Sequence, residues 1–112
     1  MLIYKIFRPD EYAELIDAGQ TLGAPIDRAD GYVHFSTNSQ VAETLAKWFA
    51  GEPKLLLVAV EDTLLGNDLK WEPSRRGALF PHLYRALTVD DVHWVKDLVW
   101  NGTTHTLPEG VQ

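Results

Sequence analysis

The chain has 112 residues, 46% hydrophobic and 23% charged, a composition for one folded domain with one core and not for a disordered segment. Its net charge of −6 and pI near 5.0 set it against phosphodiester backbones, which excludes a general duplex nucleic-acid binder while leaving room for a local basic patch to hold one phosphate. No cysteine is present, so disulfides, thiolate metal sites and a cysteine nucleophile are excluded together, as suits a reducing compartment.

The opening LIYKIF (Leu2–Phe7) alternates and is rich in β-branched and aromatic residues, which predicts a strand. Lys5, Arg8, Asp10 and Glu11 break the N-terminal apolar run, so it does not read as a signal peptide, and no later stretch approaches the ~20 apolar residues of a membrane span. A cytoplasmic protein with no membrane association is the expectation, its single domain covering residues 1–112 with a core over about 2–107 and a tail at 108–112. Pro9 suits a first helical turn, Asp10 and Glu11 complement its positive end, Tyr12, Leu15 and Ile16 form an apolar stripe, and Gly19 supplies a left-handed stop. Residues 20–30, with Gly, Pro and Asp, read as a loop.

Tyr32–Ser36 reads as a short strand, and Thr37 with Gln40 is a capping-box pattern opening a second helix. Val41, Leu45, Trp48 and Phe49 would share its buried face, and Gly51 would end it. KLLLVAV (Lys54–Val60) predicts a central strand covered on both faces; Asp62–Asp68 is a turn region, Leu69–Glu72 a short strand, and Pro73–Gly77 a loop. Strands follow at His82–Leu87 and Val92–Trp100, and Asn101-Gly102 signals a hairpin into TTHTL. Trp48, Trp94 and Trp100 read as core or sheet-face aromatics. The sum is an α+β domain with a mixed or antiparallel sheet and two main helices in its N-terminal half.

Strand alternation points to the candidate site. In Tyr32–Ser36, Val33 and Phe35 share the core face, while Tyr32, His34 and Ser36 share the other, immediately before a helix start whose free N–H groups favour an anion. A histidine merely tied to a neighbouring loop is the competing reading. A second cluster, WEPSRRGALFPHLYR, places Trp71, Glu72, Arg76, His82, Tyr84 and Arg85 within fifteen residues. His82 and Tyr84 share a strand face there, and guanidinium forks match phosphate geometry. Glu72 beside Trp71 reads as a carboxylate desolvated by an indole, with a raised pKa, or as one half of a surface ion pair. Metal-ligand spacings, a nucleophile elbow and glycine-rich nucleotide fingerprints are all missing from the sequence, so the metal assignment is none.

IYKI, DGYVHFST before an amphipathic helix, LKWE and FPHLYR together resemble the DUF952 family of small bacterial domains over roughly residues 2–98. The resemblance implies an ADP-ribosyltransferase-like fold, and Tyr32–Val60 is similar to the catalytic half of the tRNA 2′-phosphotransferases. It implies a split β-sheet enclosing a cleft for NAD or an ADP-ribose-like nucleotide. His34, Glu72 and His82 become candidate catalytic residues, with His34, His82 and Tyr84 lining the cleft. Tyr32, Ser36, Thr37, Trp71, Arg76, Tyr84 and Arg85 become candidate ligand-binding residues, an arginine holding a phosphate and Tyr84 stacking on a planar ring. Lys5 departs from the histidine that relatives carry in the first strand. The alternative function on the same fold is a non-catalytic ligand-sensing or protein-interaction module.

Overall fold

The computed structural model describes residues 1–74 and 77–112. Its elements, in order, are β1 (Leu2–Phe7), α1 (Pro9–Ala18), β2 (Gln20–Thr21), α2 (Pro25–Asp30), β3 (Val33–His34), α3 (Val41–Trp48), β4 (Lys54–Glu61), β5 (Leu69–Pro73), β6 (Leu79–Leu83), β7 (Leu87–Thr88) and β8 (Val92–Val99). The strands form three antiparallel ladders, β1-β4-β8, β2-β7 and β3-β6-β5, giving the expected α+β architecture. Among the described residues no helix is long and apolar enough to cross a membrane.

β4 is the central strand its apolar run predicts. Val58 and Val60 enter one core cluster with Ile3, Phe7, Leu15 and Leu83, while Leu55, Leu57 and Ala59 enter another with Val41, Leu45 and Leu98. Alternation delivers the two sets to opposite faces, so α1 and α3 each have an apolar surface to cover. Pro9 and Gly19 bound α1 as read, Gly19 lying at φ 77°, and the Glu11 carboxylate accepts the Arg8 backbone N–H at 2.9 Å. Of the expected stripe Leu15 is buried, whereas Ile16 is exposed.

Several boundaries differ from the sequence reading, each for a local reason. Residues 20–30 contain a short strand and a helical turn and a half: Pro25 stands at the first helical position, the Asp27 carboxylate accepts the Ala24 N–H at 2.7 Å, and Gly31 closes the turn at φ 86°. The strand expected over Tyr32–Ser36 shrinks to Val33–His34 because Phe35 faces Pro81. Phe35 N–H donates to the Pro81 carbonyl at 2.9 Å, but proline has no N–H to return and the ladder stops. The chain then crosses to the other sheet, where Ser36 and Tyr4 exchange both backbone hydrogen bonds at 2.8 Å. Phe35 thus carries the chain from one sheet to the other.

α3 begins at Val41 because Thr37 and Gln40 close a preceding turn, with the Thr37 N–H donating to Gln40 Oε1 at 2.9 Å. It ends at Trp48, before the expected Gly51, and Trp48 projects outward instead of joining the core. The Asp62–Asp68 turn region is a 3-10 segment broken at Gly66. The strand expected at His82–Leu87 runs instead over Leu79–Leu83, with Pro81 inside it. The Asn101-Gly102 turn forms, closing only a single bridge between Trp100 and His105 where a full second strand was expected.

Candidate functional site

Register brings the two histidines together. His34 on β3 lies directly opposite His82 on β6, so both imidazoles rise from the same face, with ring centroids 5.3 Å apart. The Tyr32 ring lies flat on His82 at 4.1 Å and 19°, and touches the His34 and Tyr84 rings at 4.7 and 5.1 Å. The two clusters read separately in the sequence are one cluster in space.

Each imidazole is held by a carboxylate. Glu72, on β5, accepts from His82 Nδ1 at 2.7 Å and from the Tyr84 hydroxyl at 2.6 Å through the same Oε1. A carboxylate only accepts, so His82 Nδ1 carries its proton there and Nε2 is presented elsewhere. These two donors hold the Glu72 carboxyl below its ordinary range, Tyr84 first and His82 second. The raised value expected from an indole neighbour is therefore corrected: Trp71 pairs with Pro81 on the opposite face of the strand. The same hydrogen bond, with burial and the negative charge behind it, pushes the Tyr84 hydroxyl up to about 12. Glu72→Gln removes the charged acceptor, and ultraviolet titration is expected to find one tyrosine returning toward its ordinary value of roughly 10. An unchanged titration would contradict the contact.

The partner of His34 lies in the segment read as a loop. Asp27 is 1% exposed and receives four hydrogen bonds: Lys5 Nζ at 2.6 Å and Ala24 N–H at 2.7 Å on Oδ2, His34 N–H at 3.0 Å and His34 Nδ1 at 2.5 Å on Oδ1. Burial pushes this carboxyl up, but the hydrogen bond from His34 and the Lys5 ammonium outweigh it and hold it below the usual carboxylate range. His34 Nε2 lies 3.1 Å from Asp30 Oδ2, so its ring is bracketed by two carboxylates.

A cavity of about 540 Å³ opens against this face, its wall shared by His34 and His82. β1 contributes Tyr4 and Lys5, α2 contributes Asp27 and Asp30, and α3 contributes Thr44 and Trp48. Ser36 also reaches the wall, its hydroxyl 3.2 Å from that of Thr44. The volume falls within the roughly 300–1,000 Å³ of small-molecule sites. Tyr32, Glu72 and Tyr84 touch the histidines and are not among the residues lining this cavity.

The remaining candidates lie elsewhere. Arg85 is spent on Asp91, at 2.8 and 3.0 Å, and on Asp68, at 3.4 Å. The Thr37 N–H is taken by Gln40 Oε1, and α3 starts four residues later at Val41 with no side-chain cap. Arg76 lies outside the described residues. Reading residue by residue missed Asp27, Asp30, the cavity role of Lys5 and the exposure of Trp48. Pro25, Asp27 and Gly31 carried a helix-start and helix-stop signal that would have placed Asp27 on an ordered element.

Residues 6–95 match the family described as protein of unknown function, DUF952. The chain belongs to the DUF952 family. Its solved relatives include protein CC0527 from Caulobacter crescentus, whose X-ray structure is 46% identical and superposes with a TM-score of 0.90, covering 95% of this chain and 94% of that one. The solution NMR structure of CC0527 gives 47% identity and a TM-score of 0.83, covering 93% and 90% of the two chains. No protein of curated function matches this DUF952 chain.

Proposed function

We propose that this DUF952 protein is an enzyme of ADP-ribosyltransferase-like type that binds a nucleotide-like small molecule, with NAD or an ADP-ribose derivative as candidate, and performs acid–base chemistry on it. One observation carries the reading: two carboxylate-held histidines of one sheet face share the wall of one ligand-sized cavity. Glu72 fixes the His82 tautomer so that Nε2 is the ring's proton-accepting nitrogen, the part of a general base. His34, bracketed by Asp27 and Asp30, is the proton donor. Such a pair suits transfer at a ribose carbon or a phosphoryl group, where one hydroxyl is deprotonated as another group leaves. At a glycosidic carbon the positive charge of an oxocarbenium-like state would be stabilised by Asp30 at the cavity wall. The sequence resemblance of DGYVHFST and FPHLYR supports the nucleotide class.

Ligand-detected NMR against NAD, ADP-ribose and a 2′-phosphorylated oligoribonucleotide tests the reading. Binding of one of these, abolished in a folded His34→Ala protein, is the expected result. Failure of all three to bind would remove the transferase reading.

A further inference from the structure

The walls of the cavity are more aromatic than acid–base work requires. Tyr4, Phe35, Phe49 and Phe80 line it with Trp48, so rings arrive from β1, the β3–β1 crossover, the end of α3 and β6. Trp48 is 61% exposed although it lines the cavity, which places its indole at the mouth; Ile26 of α2, 60% exposed, is the second apolar residue there. Exposed apolar rims around a cavity are burial area held in reserve for an occupant. The two cations on the wall are already engaged. Lys5 is bound to Asp27, and Arg8 makes two hydrogen bonds to Glu52 at 3.0 and 2.8 Å while lying 4.7 Å above the Phe49 ring. Lys47 Nζ lies 5.5 Å from the Trp48 ring centroid, so a cation already draws on that indole at the mouth.

We infer that the cavity selects its ligand by a flat heteroaromatic ring stacked on Trp48. The inference rests on the cavity being the ligand site proposed above, and it narrows the substrate class to ring-bearing compounds of the nucleoside kind. The ring lies at the mouth between Trp48 and Ile26, leaving the sugar to the histidine pair. Trp48 is a binding residue in this assignment and takes no part in proton transfer.

Saturation-transfer NMR with adenosine and, separately, ribose 5-phosphate tests this on the wild-type protein, Trp48→Ala and Trp48→Phe. Because the side chain is exposed, both variants are expected to fold, and circular dichroism checks that they do. Adenosine is expected to bind with its base protons most strongly saturated, about tenfold more weakly to Trp48→Ala, and nearly as well to Trp48→Phe. Ribose 5-phosphate binding that is lost in His34→Ala but indifferent to Trp48→Ala would overturn this inference and leave the acid–base reading standing. Adenosine binding unchanged in Trp48→Ala would also overturn it. Absence of binding by both probes would overturn the two together.

Discussion

Asp27→Ala is expected to lower folding stability by about 3–5 kcal/mol, the range for removing one partner of a buried ion pair. The loss is large because nothing replaces the carboxylate: Lys5, itself buried, keeps its ammonium with no counter-charge, and the Ala24 and His34 N–H groups lose their acceptor. Asp27→Asn preserves the shape but not the charge, and its loss should approach that of alanine. The pH dependence has a fixed sign. Asp27 titrates below its ordinary value in the folded protein, so its contribution is present above the unfolded carboxylate pKa and disappears as the pH falls through the lower folded value. Denaturant unfolding should therefore show the gap between wild type and Asp27→Ala wide at neutral pH and closing below about pH 4. A gap independent of pH would contradict the pairing.

Gly23→Ala is the second large effect. Gly23 lies at φ 94°, and a Cβ there would stand 2.1 Å from Asp27 Oδ2 and 2.7 Å from its Cγ. The substitution combines a left-handed backbone carrying a side chain with a direct clash against the carboxylate, together about 3 kcal/mol. Gly31 provides the control: it lies at φ 86° with open space around its would-be Cβ, so Gly31→Ala should cost only the backbone part, about 1–2 kcal/mol. Parallel unfolding curves separate the two. Equal losses would mean that Gly23 is needed for its backbone alone. Gly23→Ala combined with Asp27→Ala should cost less than the sum of the single changes, since both disrupt the same contact.

The parts of the site that the sequence announced are those governed by strand alternation. Val33 and Phe35 are buried, Tyr32 and His34 share the other face, and Lys54–Val60 became a two-sided central strand, since each follows from a period of two. That His34 would meet His82 needed the register of β3 on β6, which no local pattern states. Asp27 was hidden differently: Gly, Pro and Asp dominate residues 20–30 and suggest a loop, yet the same Pro and Asp open a short helix whose first carboxylate turns inward. Its partner Lys5 lies 22 positions away on β1, and a lysine in an apolar alternation signals only a tolerated charge until the buried acceptor is known. Helical period places Trp48 on the core face. The helix ends at that residue, so the period no longer decides where the side chain points.

The central claim is that the face carrying His34 and His82 is a ligand wall. Titrating the ¹⁵N-labelled protein with ADP-ribose and following every backbone amide reads that claim residue by residue. Binding in the cavity predicts that the amides of His34, Phe35, Ser36, Thr44, Phe80 and His82 shift together along one saturable curve while those of β8, on the far edge of the other sheet, stay still. Shifts confined to β8, or none at concentrations that saturate other nucleotide sites, would contradict it.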